Sequence, residues 1–212
     1  MEHTELSPGR IPDAPHFPGW LLALVTVLSA AVALVSYRYF SPSMSPPDII
    51  NANAFREPWL IVHVAAAATA LLLGPAQFFP RLRARYLPLH RWTGRVYVLG
   101  CAVGGVSGLV LAFGASTGIV STAGFGLLSA VWLVSTWMAW RRAVQRRLPD
   151  HRAWVIRSFA LTLAAVTLRI YLPLAGLLPI PSDVSYRAIS FLCWVPNLVL
   201  SEVYLRRRRR LA

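Results

Sequence analysis

Six apolar runs, at residues 20–35, 59–79, 96–113, 119–140, 151–173 and 188–204, constrain this chain more than any other feature. Each is close to the roughly 20 residues that a helix needs to cross the hydrocarbon of a bilayer. Runs of this length in so apolar a chain read as the spans of a polytopic membrane protein. The expected fold is therefore all-α, a polytopic transmembrane bundle of six spans.

Composition points the same way. Of 212 residues, 56% are hydrophobic and 14% charged, against about 45–50% apolar in soluble domains. A net charge of +13 would suggest nucleic acid in a soluble chain. Here the charges cluster between apolar runs, so no nucleic-acid partner is expected. Cys101 and Cys193 both fall inside apolar runs and are expected as buried free thiols. The 20–35 run lacks the basic flank of a signal peptide and is read as a retained first span.

The chain divides into a mobile tail at 1–18, a six-helix domain at 19–205 and a polybasic tail at 206–212. The first tail has four prolines and no apolar period, and its His3 and His16 read as solvated. Arginine counts set the expected orientation. Residues 80–95 hold five, 141–157 hold six and 206–210 are all arginine, whereas 38–57 hold two and 174–187 one. The rich segments are expected on the cytoplasmic side, with both termini. The last of them is also expected to touch anionic lipid head groups.

The polar residues within the spans then need partners. In HRAWVIRSFALTLAAVTLRIYLP, at 151–173, His151, Ser158, Thr162 and Arg169 fall on nearly one helical face. Arg169 carries the most weight, since a charge in lipid costs about 2.5–3.5 kcal/mol even on insertion scales and so belongs in a bundle interior or wet cavity. In the second span His63, Ala67, Ala70, Gly74 and Gln77 share a face, and Gly100, Gly104 and Gly108 form a small-residue seam in the third. Two polar layers are expected. His63 and Arg169 form the outer one; His90, His151, Arg157 and Glu202 form the inner one. Gln77, Ser158, Thr162, Asn197 and Glu202 are placed in the bundle interior.

Several stretches carry a resemblance: LHRWTGRVYVLG at 89–100, DHRAWVIRSFALTLAAVTLRIYLP at 150–173, FLCWVPNL at 191–198 and GPAQFFPRLR at 74–83. Over about residues 56–205 the chain resembles a family of bacterial predicted integral membrane proteins of unknown function, the DUF2306 type. The resemblance implies a compact multi-helix bundle in the plasma membrane. It implies no reaction.

Three readings of the polar layers remain open. In the first the protein is a haem- or quinone-linked membrane redox component, because imidazole is a normal axial ligand and an apolar bundle a normal haem pocket. His90 and His151 are then the pair that would hold haem b, with Arg157 or Arg95 on its propionates. In the second the protein binds or converts an amphipathic lipid, isoprenoid or other hydrophobic small molecule. His63 and Arg169 then hold its head group and are the candidates for catalysis. In the third it is an assembly or accessory protein whose polar residues staple helices, Glu202 pairing Arg157 and Asn197 bonding across the bundle. A transporter is less favoured, since no two halves repeat and Pro196 interrupts one helix alone. No phosphate loop, CxxC, HExxH or nucleophile elbow occurs, and no metal site is singled out.

Overall fold

Each apolar run becomes a helix, because that is the one conformation in which an isolated segment pairs its own backbone in lipid. The computed structural model describes residues 17–41 and 46–210. His3, His16 and all but the last two residues of the expected N-terminal tail lie outside this range, as do Leu211 and Ala212.

The helices are α1 (Gly19–Ser36), the short α2 (Asp48–Asn51), α3 (Arg56–Leu73), α4 (Pro80–Arg85), α5 (Leu87–Phe113), α6 (Ile119–Val144), α7 (Leu148–Thr162), α8 (Ala164–Ala175), α9 (Ser182–Leu192) and α10 (Val195–Arg210). Six segments are long and apolar enough to cross a membrane: α1, α3, α5, α6, α7 with α8, and α9 with α10. Among the described residues there is no strand. Successive crossings put the arginines of α4, of the α6–α7 junction and of the end of α10 at one end of the bundle. The 46–55, 114–118 and 176–181 connections lie at the other, where Ser116 donates to the Ile49 carbonyl and Arg187 to that of Thr117.

Three boundaries differ from the sequence expectation. The arginine-rich 80–95 segment is helical for most of its length, because Pro80 and Pro88 sit in the first turns of α4 and α5, where their fixed φ suits a helix and no N–H is needed. Arg91 and Arg95 consequently ride on α5. The fifth span is not one continuous helix: it breaks at Leu163, beside Thr162 and Thr167, whose hydroxyls bond the carbonyls of Ser158 and Leu163. Such side-chain capture of backbone carbonyls bends helices. The sixth span breaks at Cys193 and Trp194, just before Pro196, which lacks the N–H that would continue the ladder.

The glycine seam is built against α3. A Cβ on Gly100 would lie 2.9 Å from the Ala66 carbonyl oxygen, one on Gly104 3.3 Å from the Ala67 nitrogen, and one on Gly108 3.0 Å from His63. Close approach of this kind is how helices associate where lipid removes the hydrophobic drive. Helix α6 then packs on α5, α7 on α6, α9 on α6, and α10 on α7. Helix α1 lies at the edge, resting Ser29, Ala33 and Ser36 on the bundle while Trp20, Leu24, Val27 and Leu34 face outward. The core comprises Tyr97, Cys101, Trp132, Phe159, Leu161, Cys193 and Trp194, and both cysteines are buried free thiols, as expected.

Candidate functional site

Polar side chains gather in three places. The first is a cavity of about 860 Å³ at the arginine-rich end, lined by both His90 and His151. Five arginines line it as well: Arg83, Arg91, Arg95, Arg146 and Arg152. Among the described residues no carboxylate does, and the remaining wall is largely apolar, including Leu87, Val98, Val155 and Ile156. His151 donates from Nδ1 to the Ala139 carbonyl at 2.9 Å. A carbonyl only accepts, so Nδ1 carries the proton and Nε2 is left with a bare lone pair. The buried Nδ1 of His90 has no hydrogen-bond partner among the described residues. Arg95 stacks over Trp92 at 5.0 Å, and Gln77 donates to Thr93 Oγ1 at 3.0 Å. The Arg83 guanidinium, outside the spans, is held below its ordinary pKa by burial first and by the charge of Arg152 second. It remains a cation, as arginine does throughout the physiological range. Cations are thus crowded at this mouth without a carboxylate lining it.

The two histidines reach the cavity by the same device. Leu87-Pro88-Leu89-His90-Arg91 opens α5 and Leu148-Pro149-Asp150-His151-Arg152 opens α7. Each helix starts at its leucine, so each histidine is the fourth residue of a helix entering the membrane from the same end. This is a local repeat of five positions, Leu-Pro-x-His-Arg. It puts two imidazoles at matching depth.

A smaller cavity, about 210 Å³, lies toward the opposite end and is lined by His63 and Arg169. His63 donates from Nδ1 to the Gly104 carbonyl at 2.8 Å. Arg169 donates from Nη1 to the Ala165 carbonyl at 3.0 Å and from Nη2 to Ser36 Oγ of α1 at 2.8 Å. It is therefore held between helices.

Between the cavities sits a buried set of hydroxyls. Tyr97 Oη lies 2.8 Å from Ser158 Oγ and 3.0 Å from Thr162 Oγ1, and Thr136 Oγ1 lies 2.7 Å from Ser158 Oγ. Trp132 Nε1 donates to Thr162 Oγ1 at 3.0 Å. Counting one proton per hydroxyl fixes the direction. Thr162 donates to the Ser158 carbonyl, so Tyr97 donates to Thr162, Ser158 to Tyr97 and Thr136 to Ser158. Every proton has an acceptor. Tyr97 lines the larger cavity and Thr162 the smaller, so this set is the partition between them.

The remaining expected residues bind helices to one another. Arg157 pairs with Glu202 of α10 through both oxygens, Nη2 at 3.0 Å from Oε2, and stacks on Trp154 at 4.7 Å. Neither lines the larger cavity. Asn197 donates to Thr167 Oγ1 at 2.9 Å, tying α10 to α8. Sequence reasoning missed Tyr97, Trp132 and the cavity arginines other than Arg95. A signal for Tyr97 existed, since His90, Gly94, Tyr97, Cys101, Gly104 and Gly108 form one helical stripe.

Fold and site together define a polytopic helical membrane protein with an interior polar layer at each end. The chain belongs to the predicted membrane protein family DUF2306, whose family model matches residues 60–205. No curated protein and no solved structure matches it.

Proposed function

We propose that the protein is a membrane redox component whose arginine-rich cavity takes one haem b, which His90 and His151 would hold. The observation that carries this reading is the pair of Leu-Pro-x-His-Arg helix starts, which bring two imidazoles to one cavity walled by arginines and, among the described residues, lined by no carboxylate. A bis-histidine site needs two rings at one depth on different helices. The Ala139 carbonyl on His151 Nδ1 is the outer partner that orients a ligating imidazole and leaves Nε2 for iron. Haem b is an amphipathic dianion whose propionates suit guanidinium forks. Arg95 lines the cavity and has no carboxylate among the described residues, whereas Arg157 is committed to Glu202. A volume of about 860 Å³ falls within the roughly 300–1,000 Å³ of ligand pockets. The arginine-rich end then faces the cytoplasm of a plasma membrane, with both termini there and the 206–210 arginines against anionic head groups.

The absorption spectrum tests this. Protein produced with haem supplied should show a Soret band that shifts on dithionite reduction, and His90→Ala or His151→Ala should change it. A colourless preparation would contradict the reading. The Arg157–Glu202 and Asn197–Thr167 bonds favour a second reading, an accessory protein stapled by its polar residues, and in that case neither histidine substitution alters any bound chromophore.

A further inference from the structure

The smaller cavity poses a charge problem that the chain does not solve by itself. Arg157, also within a span, is given a carboxylate by α10. Arg169 is given only a hydroxyl and a carbonyl. Of the five guanidinium N–H donors, two make those bonds, and the other three have no acceptor among the described residues. Tyr39 first and the cation Arg38 second are close enough to act on it electrostatically, and neither is a carboxylate. Among the described residues no aspartate or glutamate lines the cavity. An intramembrane arginine without an anion is expensive and marks a site by default.

The surroundings indicate what would complete it. His63 shares the cavity wall, and because its Nδ1 proton is engaged by Gly104, its Nε2 is a second polar atom of the site. Asn53, Arg56 and Ser116 line the part of the cavity nearest the arginine-poor end, while Phe125, Leu128, Trp132 and Leu168 give it apolar walls. A volume of about 210 Å³ equals about seven waters at roughly 30 Å³ each. That excludes a haem and suits one ring or a short chain.

We propose that this cavity is a second binding site, for a small organic monoanion whose carboxylate pairs with Arg169 and whose apolar body lies against Phe125, Leu128 and Trp132. The site is separate from the haem cavity, with the Tyr97–Thr162 hydrogen bond between them. Its occupancy does not depend on what the larger cavity holds.

Thermal unfolding of the full chain in detergent tests the proposal, with benzoate, the neutral isostere benzamide and inorganic phosphate as probes. Benzoate should raise Tm saturably by a few degrees, as expected for a ligand that binds only the folded state. Benzamide and phosphate should raise it far less. Arg169→Gln should lose the benzoate response, while Ser36→Ala, which keeps the cation, should retain it. Equal responses to benzoate and benzamide, a response to phosphate alone, or a full benzoate response in Arg169→Gln would each overturn the proposal. The first two comparisons use the unsubstituted protein and hold even if Arg169→Gln does not fold. A colourless preparation with an intact benzoate response would reject the haem reading and leave this one standing.

Discussion

Tyr97 illustrates how one residue joins packing to function. It is 3% exposed, its hydroxyl accepts from Ser158 and donates to Thr162, and it lines the larger cavity. Tyr97→Phe would leave the Ser158 proton without its acceptor, and a buried unsatisfied donor costs about 1–3 kcal/mol. We expect a loss of that size in unfolding measurements in detergent, with helix content unchanged. No change would mean that the partition is not closed as described. At this scale the sequence was partly legible. Ser158 and Thr162 stood out as polar residues on an apolar helix. Tyr97 and Trp132 did not, because an aromatic residue in a span reads as ordinary lipid-facing or core material until its hydroxyl or indole N–H is seen to have a partner.

Among the helices, the α3–α5 contact is the most exacting, because backbone meets backbone there. Gly100→Val would drive a side chain toward the Ala66 carbonyl, and overpacking costs about 1–3 kcal/mol. Gly126→Ala serves as the control, since a Cβ there meets only Ala112 and Leu109 side-chain carbons at 3.9 Å. It should be neutral or slightly stabilising, because alanine is the better helix former by about 1 kcal/mol. Thermal unfolding of the two variants checks this, and equal Tm values would contradict the seam. The four-residue glycine spacing made this contact legible in advance. The helix breaks at Leu163 and at Cys193–Trp194 were less so, because hydropathy is the same on both sides of a bend.

For the whole molecule, crossing parity puts all the arginine-rich segments at one end, and the proposed orientation makes that end cytoplasmic. In a chain with Cys101 and Cys193 replaced, Ser116→Cys should react with a membrane-impermeant thiol reagent applied outside intact cells, and Arg146→Cys only after permeabilisation. Both positions are exposed. The opposite pattern would invert the topology. Six spans could be counted from the sequence because hydropathy is additive along a chain. The cavities could not, because they depend on which helices become neighbours. His90 and His151 are 61 positions apart, and only the antiparallel return of α6 brings the start of α7 beside the start of α5. If His90 and His151 serve one ligand, a haem titration of the apoprotein reads it out. One equivalent should give a low-spin, six-coordinate spectrum, which His90→Ala and His151→Ala each convert to a high-spin one. Spectra of the two variants indistinguishable from that of the unsubstituted protein, or free haem alone at every ratio, would contradict it.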